Sequence, residues 1–256
     1  MNHSKLAEEL FDCLNVVKSV EPLTTRFPNI SIDDAYQISL ELMALREAAG
    51  EKIIGKKIGV TSKGVQDMLG VYQPDYGFLT NKMLCESQKV ITSKLILPRA
   101  EAEIAFKLNQ TLTGPNVTAE DVLNATEYVT PAIEVVDSRI KDWEIKIEDT
   151  IADNASCGLF VVGKEQVDPH TLDLEELEVT FAKNGETESI GKGSEVMGNP
   201  LNAVAWLANK LGEAGVSLNA GEIILSGSMV PLAPAIKGDT FTMYIEGLGS
   251  CTVVFV

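Results

Sequence analysis

The chain has 256 residues, of which 45% are hydrophobic and 23% charged, with a mean hydropathy of +0.08. These values are typical of a globular protein and argue against disorder, and the length suffices for one large domain or two small ones. The formal net charge of −16 disfavours nucleic acid and anionic membranes as partners, since both are bound through clustered cations. No run approaches the roughly 18 apolar residues of a membrane span. The opening MNHSKLAEELFDCL carries charges where a signal peptide is apolar, so a cytoplasmic protein is expected.

Two residue types limit the chemistry that the chain can perform. The four cysteines, Cys13, Cys85, Cys157 and Cys251, are scattered singly, which argues against a zinc site and a disulfide framework. The two histidines lie in the N-terminal segment and in the polar stretch KEQVDPH. A hydrolase that pairs a nucleophile with an imidazole is therefore disfavoured. Chemistry is expected from carboxylates, lysines, hydroxyls or a metal held by oxygen.

The first eighty or so residues predict helices. Apolar residues recur at helical spacing over residues 6–17. Ser31 is a predicted N-cap for a second helix that stops at Gly50, and a short third helix is expected after Ser62, ending at Gly70. This part of the chain therefore predicts a helical layer.

From about residue 95 the pattern changes to strands, which are predicted in ILPRAEAEIAFKL, PAIEVVDS, CGLFVVG, EIILSGS, DTFTMYIEG and LGSCTVVFV. A hairpin is expected to turn at Asn184-Gly185, and helices are expected to start at Thr118 and Asn199. The order of elements predicts an α+β fold. Two divisions stay open: a helical region 1–82 joined to a β-rich core 83–256, or one integrated domain over 1–256. A nucleotide cofactor has no support, because neither GxGxxG nor a P-loop motif occurs.

Glu101 and Glu103 stand two positions apart in the predicted strand PRAEAEIAF. Strand side chains alternate between faces, so both carboxylates are expected on one face, with Ala100, Ala102 and Ile104 on the other. Two adjacent anions repel unless a cation or a shared proton relieves them, and Mg²⁺ or Mn²⁺ bound through oxygen is an economical relief. The pattern alone leaves a solvated strand face open as the alternative.

Glu134 strengthens the metal hypothesis because it lies in the apolar run PAIEVVDS, where an unpaired carboxylate is costly to bury. It is expected either to bind metal or to pair with Arg139 or a lysine. Three carboxylates would leave positions on the metal for a bidentate ligand such as a 2-oxo acid.

Other polar residues carry a weaker signal. Lys57 adjoins Lys56 in an extended segment, so at most one of the two is expected to point into a site. Asp75 follows Pro74 and is equally well explained as a turn former. The stretch DSRIKDWEIKIEDTIADNASCGLF has the charge density of a solvated loop, although Ser156 and its small neighbours suit a ligand-contacting wall.

Five segments together resemble the 2-oxopent-4-enoate (2-hydroxypenta-2,4-dienoate, vinylpyruvate) hydratases: IGKKIGVTSKGVQDMLGVYQPDYGFL, PRAEAEIAF, EVVDSRIKDWEIKIEDTIADNASCG, NPLNAVAWLANKLGEAG and GEIILSGSMVPLAPAIKGD. This family is related to fumarylacetoacetate hydrolase, and the resemblance covers nearly the whole chain. It implies a mixed β-roll core with N-terminal helices packed on it and a divalent metal, Mg²⁺ or Mn²⁺. It also implies addition of water to 2-hydroxypenta-2,4-dienoate, giving 4-hydroxy-2-oxopentanoate, in the meta-cleavage degradation of aromatics.

The resemblance also implies roles for individual residues. Glu101, Glu103 and Glu134 match the family's metal ligands. Lys57 matches a lysine near the carboxylate and enol oxygen of the substrate, and it is expected to act in both binding and catalysis. In the same way, Ser156 matches a substrate-contacting position and Asp75 an acid/base candidate.

Two alternative functions accompany this resemblance. The first is 4-oxalocrotonate (2-oxo-3-hexenedioate) decarboxylase, a relative that resembles this chain less closely at QPDYG, RIKDW and ASCG. The second is a non-catalytic partner subunit of that decarboxylase, because the two enzymes associate in this family. The resemblance further implies a homo-oligomer and a complex with the decarboxylase.

Overall fold

The structure, a computed structural model, describes residues 1–69 and 71–256. Its helices are α1 (His3–Val16), α2 (Leu23–Arg26), α3 (Ile32–Ala48), α4 (Lys63–Leu69), α5 (Ala119–Ala125), α6 (Ile147–Ala152) and α7 (Pro200–Gly212). None of the helices within these residues is long and apolar enough to cross a membrane. The predicted end of the third helix at Gly70 lies outside the described residues.

The described residues also form twelve strands. They are β1 (Ile53–Gly59), β2 (Asp75–Thr80), β3 (Lys89–Val90), β4 (Arg99–Leu108), β5 (Thr126–Val136), β6 (Cys157–Val162), β7 (Glu178–Lys183), β8 (Glu186–Lys192), β9 (Ile223–Leu225), β10 (Ala233–Pro234), β11 (Thr240–Ile245) and β12 (Gly249–Phe255). The expected α+β fold is confirmed.

The strands form two sheets. The larger one has seven strands in the order β2-β1-β9-β4-β5-β6, with β10 paired to the start of β4. The smaller one has five strands in the order β3-β12-β11-β7-β8. Since β9 and β10 pair with opposite ends of β4, the segment between them runs along the middle of β4, where Met229 N–H donates to the Ala102 carbonyl at 2.9 Å.

The two faces of the larger sheet have different partners. Ala100, Ala102 and Ile104 face the main core, together with apolar residues of the smaller sheet and of α7. Glu101 and Glu103 lie on the opposite face, as the alternation predicts. The N-terminal helices α1 and α3 pack with α6 in a separate apolar cluster. A helical layer on a β-rich body is therefore confirmed.

Helix-capping and turn residues in the sequence correctly predict several boundaries of helices and strands. Capping boxes are present at Ser31 and Thr118, and Asn199 caps α7, so the three helix starts are confirmed. Asn184 and Gly185 have φ values of 54° and 86°, which is the backbone of a tight hairpin between β7 and β8.

The expectation that the first eighty residues are helical is wrong for β1 and β2. Both strands belong to the larger sheet, where β1 pairs with β2 on one side and with β9 on the other. Residues 55–58 of β1 are buried in succession. A strand covered on both faces does not alternate between polar and apolar residues, so its periodicity carries no strand signal.

Candidate active site

Three carboxylates meet on one face of the larger sheet. Glu101 of β4 is the direct antiparallel partner of Glu134 of β5, and Glu103 follows two positions along β4. Oxygens of the three side chains lie within 4.8 Å of one another. Their exposed fractions are 7%, 1% and 0% for Glu101, Glu103 and Glu134, so a solvated strand face is not what the structure shows. These three residues are called the carboxylate cluster below.

The hydrogen bonding of the carboxylate cluster is incomplete. Glu103 accepts from the Gly227 N–H at 2.8 Å through Oε2, but its Oε1 and both oxygens of Glu134 have no hydrogen-bond partner in the described part of the chain. Burial and the charge of Glu134 raise the pKa of Glu101 to about 8, and the same causes raise that of Glu103 well above its usual range. Unpaired buried oxygens that repel one another fit a hard divalent cation such as Mg²⁺ or Mn²⁺.

The two adjacent lysines of β1 have different partners. Lys57 Nζ lies 3.4 Å from Glu134 Oε1, whereas Lys56 Nζ donates to Glu222 Oε2 at 2.6 Å, away from the cluster. The expectation that at most one lysine enters the site therefore agrees with the structure. Burial lowers the pKa of Lys57, but the charges of Glu134 and Glu101 raise it more. The ammonium group is thus held in its charged form beside the carboxylate cluster.

Asp75 begins β2 and is only 2% exposed. Thr150 Oγ1 donates to its Oδ2 at 2.7 Å, while Oδ1 has no hydrogen-bond partner in the described residues. Burial raises the pKa of Asp75, although Lys57 and the Thr150 hydroxyl partly offset the effect. Its explanation as a turn former does not account for this burial. A carboxyl group that keeps its proton to higher pH can serve as a general acid and then as a base.

Ser156 ends a turn with an unusual backbone. Asn154, Ala155 and Ser156 all have φ of 51°, in the left-handed region that costs an L-residue roughly 1–2 kcal/mol. Asn154 ties this turn to β2, since its Oδ1 accepts from the Phe78 N–H at 2.7 Å and its Nδ2 donates to the Phe78 carbonyl at 3.0 Å. Ser156 is thereby fixed on the wall of the site.

A buried arginine supports the same turn. Arg139 is fully buried, forms an ion pair with Asp153, and donates through Nη1 to the carbonyls of Asp137 and Cys157 at 2.6 and 2.8 Å. The Ser138 hydroxyl also donates to Asp153, at 3.2 Å. The expectation of a solvated loop is wrong here, because these charges pair with each other inside the protein. Arg139 is also not the partner of Glu134, a position that Lys57 takes.

The predicted residues converge on one cavity of about 760 Å³. Lys57, Asp75, Glu101 and Ser156 line it, and Glu103 and Glu134 adjoin Glu101 in the buried cluster. Apolar side chains form much of the remaining wall, namely Val60, Val65, Ile145, Met229 and Leu232. The cavity thus combines a cation site, an acid/base candidate and an apolar surface.

Sequence reasoning missed several contributors to the cavity. Thr150 holds Asp75, and Arg99 and Trp143 line the cavity with the Arg99 guanidinium carbon 4.4 Å from the Trp143 ring centre. No local pattern marks such contacts, although Arg99 precedes Glu101 by two positions and so shares its strand face.

The sequence of this chain matches a known protein family and several of its relatives. The family model for the fumarylacetoacetate (FAA) hydrolase C-terminal region matches residues 73–256. The chain belongs to the fumarylacetoacetate hydrolase C-terminal family. Among characterised members, 2-hydroxyhexa-2,4-dienoate hydratase of Comamonas testosteroni is 55% identical over 97% of this chain and 95% of its own length. The 2-hydroxypent-2,4-dienoate hydratase of Pseudomonas putida is also 55% identical, over 84% of this chain and 97% of its own.

A solved structure superimposes on nearly the whole chain. It is 4-oxalocrotonate decarboxylase from Pseudomonas putida G7 in complex with magnesium and adipate. The TM-score is 0.96 at 37% identity, with 99% of this chain and 97% of the decarboxylase covered. This chain therefore combines the fold of a decarboxylase with higher sequence identity to hydratases, so the fold alone does not separate the two activities.

Proposed function

We propose that this protein is a metal-dependent hydratase that adds water to 2-hydroxypenta-2,4-dienoate and releases 4-hydroxy-2-oxopentanoate, a reaction of aromatic meta-cleavage degradation. The observation that carries the proposal is the buried carboxylate cluster beside Lys57 and Asp75 in one cavity. The two hydratases that are 55% identical to this chain support the same reaction. The substrate is accordingly a small 2-oxo acid in its enol form.

We propose that Glu101, Glu103 and Glu134 hold Mg²⁺ or Mn²⁺. The oxygens of Glu103 and Glu134 that lack a hydrogen-bond partner in the described residues support this, and the decarboxylase relative was solved with magnesium. Such an ion would supply, when bound, a Lewis acid that favours negative charge on the oxygens of a 2-oxo acid.

Lys57 and Asp75 supply the remaining chemistry. The Lys57 ammonium, held beside Glu134, stabilises the negative charge that develops on the C2 oxygen as its proton leaves. Protonated Asp75 donates to C5, which forms a methyl group and moves the double bond to C3 and C4. The Asp75 carboxylate then accepts a proton from the water that attacks C4. C3 takes up a proton from solvent, in place of the enol proton released to solvent in the first step, and the 2-oxo group is retained. Ser156, on the cavity wall, contacts the substrate and orients it.

The decarboxylase is the second candidate because its fold matches over nearly the whole chain. The higher identity of the hydratases, 55% against 37%, favours hydration. A non-catalytic partner subunit is a third candidate, and it gives no reason for three clustered, buried carboxylates with oxygens that lack hydrogen-bond partners in the described residues.

Product analysis tests the proposal. Purified protein with Mg²⁺ or Mn²⁺ is mixed with freshly generated 2-hydroxypenta-2,4-dienoate, the loss of dienol absorbance is followed, and the product is identified by NMR. Metal-dependent formation of 4-hydroxy-2-oxopentanoate, abolished by EDTA, is expected. Release of carbon dioxide from 2-oxo-3-hexenedioate with no hydration would instead identify the decarboxylase.

We further propose that the chain forms a homo-oligomer, associates with a 4-oxalocrotonate decarboxylase and acts in the cytoplasm. Its fold match to the decarboxylase supports the association, and the four free cysteines suit a reducing compartment. Light scattering of the protein alone and with a decarboxylase tests both assemblies. A monomer in each sample would contradict them.

A further inference from the structure

Arg99 differs from the other arginines of the chain. The sequence has four, and Arg26, Arg46 and Arg139 each form an ion pair with a carboxylate. Arg99 forms no ion pair with any carboxylate in residues 1–69 and 71–256, although acidic residues outnumber basic ones by 37 to 21. An unpaired guanidinium that lines a cavity is available to an anionic ligand.

The position of Arg99 relates it to the carboxylate cluster. It begins β4 two positions before Glu101 and therefore lies on the same face of the sheet. Strand register places Lys57 at the opposite end, because Lys57 pairs with Leu225 of β9, which in turn pairs with Ala105 of β4. Glu101 and Glu103 thus lie between the two cations that line the cavity.

Trp143 holds Arg99 in place. Trp143 has φ of 58°, which bulky residues rarely adopt, and its Nε1–H donates to the Leu97 carbonyl at 2.9 Å. The guanidinium carbon lies 4.4 Å from the ring centre, in cation–π range. This contact does not use the N–H groups of Arg99 as hydrogen-bond donors, so they can donate to a carboxylate in a bidentate manner.

The charges of the cavity give a substrate a direction. Lys57 is paired with Glu134 and serves the C2 oxygen in the proposed reaction, so Arg99 is the cavity-lining cation left for the C1 carboxylate. Asp75 and Val60 lie at the β1 and β2 end of the cavity, which suits uncharged carbon atoms better than a second anion. A 2-oxo acid is therefore favoured with its carboxylate toward Arg99 and its hydrocarbon end toward Asp75.

We propose that Arg99 binds the C1 carboxylate of the 2-oxo acid and so directs C4 and C5 of the substrate toward Asp75. This inference rests on the proposed function for the identity of the reacting carbons. It does not rest on turnover, because carboxylate binding can be measured with an unreactive 2-oxo acid.

The test compares Arg99→Met with the wild-type protein loaded with Mn²⁺. Methionine retains the length and apolar contact with Trp143 but has no charge. We expect calorimetric affinity for pyruvate to fall about 10- to 100-fold, as for loss of a charge-assisted hydrogen-bonded pair, with KM for the dienoate rising in proportion. The affinity for Mn²⁺ is expected to stay unchanged. Arg26→Met, at an arginine paired with Glu9 on the surface, is the matched control and should behave as wild type.

Two further measurements make the result decisive. Arg99→Lys keeps the positive charge but lacks the two parallel N–H donors of a guanidinium. Its affinity for pyruvate should therefore lie between those of the wild type and Arg99→Met. 2-Oxoadipate has a second, distal carboxylate in addition to the C1 carboxylate that it shares with pyruvate. Arg99→Met should weaken the binding of 2-oxoadipate as much as it weakens the binding of pyruvate. Loss of 2-oxoadipate binding alone would assign Arg99 to a distal carboxylate and overturn the proposal, as would unchanged pyruvate affinity or lost Mn²⁺ binding. Failed hydration with Arg99-dependent pyruvate binding would contradict only the proposed function.

Discussion

Gly59 and Asp75 are direct partners across β1 and β2, and the absent side chain of Gly59 leaves the space that the Asp75 carboxylate occupies. A Cβ built on Gly59 would overlap Oδ1 of Asp75 and approach Lys57 Nζ to 3.4 Å. The glycine is therefore needed for the orientation of the proposed acid and has no other contact that demands it.

Gly59→Ala is expected to reduce turnover by at least about tenfold, because a carboxyl group displaced by an ångström loses much of its catalytic effect. The affinity for Mn²⁺ should be retained, since the carboxylate cluster lies on other strands. Gly64→Ala serves as the control, because a Cβ there meets no atom within 4 Å. Wild-type turnover in Gly59→Ala would argue against Asp75 as the proton donor.

Asp75→Asn tests the acid role through pH. Burial raises the pKa of Asp75, so its protonated form persists above the usual carboxyl range and is lost as pH rises through the raised value. Wild-type kcat should accordingly decrease as pH rises through this pKa, which gives its pH profile a descending limb on the high-pH side. The variant should lack the limb and turn over about 10²–10⁴-fold more slowly. Asp168→Asn, at an exposed residue, should keep the wild-type profile. An identical limb in Asp75→Asn would assign it to another group.

Glu134→Gln tests the proposed metal ligands. Neutralising this carboxylate should weaken Mn²⁺ binding by more than the about 10–100-fold typical of losing an outer-sphere partner, and should abolish the rise in melting temperature that Mn²⁺ gives the wild type. Glu176→Gln, at an exposed carboxylate paired with Lys192, is the control. Calorimetry and thermal melts measure both effects. Unchanged affinity would remove Glu134 from the metal site.

The sequence predicted parts of this site that depend on local alternation. The period of two put Glu101 and Glu103 on one face, and the apolar run around Glu134 indicated burial. The sequence alone could not predict that Glu134 lies opposite Glu101, because strand register is set by long-range pairing. The register decides whether the three carboxylates meet.

Two errors have the same origin. The charge density around Arg139 and Asp153 predicts a solvated loop, because the sequence alone does not show that the two residues pair inside the protein. The sequence gives no strand signal for β1, because packing on both faces removes the alternation of polar and apolar residues. The two adjacent lysines of β1 do point to different partners, as their neighbouring positions predict. Tertiary partners thus account for what local patterns could not show.

Arg139→Met is expected to destabilise the protein by about 3–5 kcal/mol, since it leaves the buried Asp153 carboxylate without its cation. Urea unfolding of the metal-free protein measures the change. Arg139→Met combined with Asp153→Asn should recover part of the loss, because the second substitution removes the uncompensated charge. A double variant that is no more stable than Arg139→Met would show that the pairing itself is not the cause.

Ala155→Gly should reveal the strain in the left-handed turn that carries Ser156. Alanine at φ of 51° is strained by roughly 1–2 kcal/mol, whereas glycine tolerates this backbone but gains freedom in the unfolded chain worth about 0.4–1 kcal/mol. The unfolding free energy should therefore stay constant or rise by up to about 1.6 kcal/mol, as the difference of those two effects. Ala205→Gly within α7 has helical backbone and should lose at least about 1 kcal/mol. Equal losses of unfolding free energy in both variants would mean that the turn is not strained. The Arg139 and Asp153 network would then not be stabilising a strained backbone.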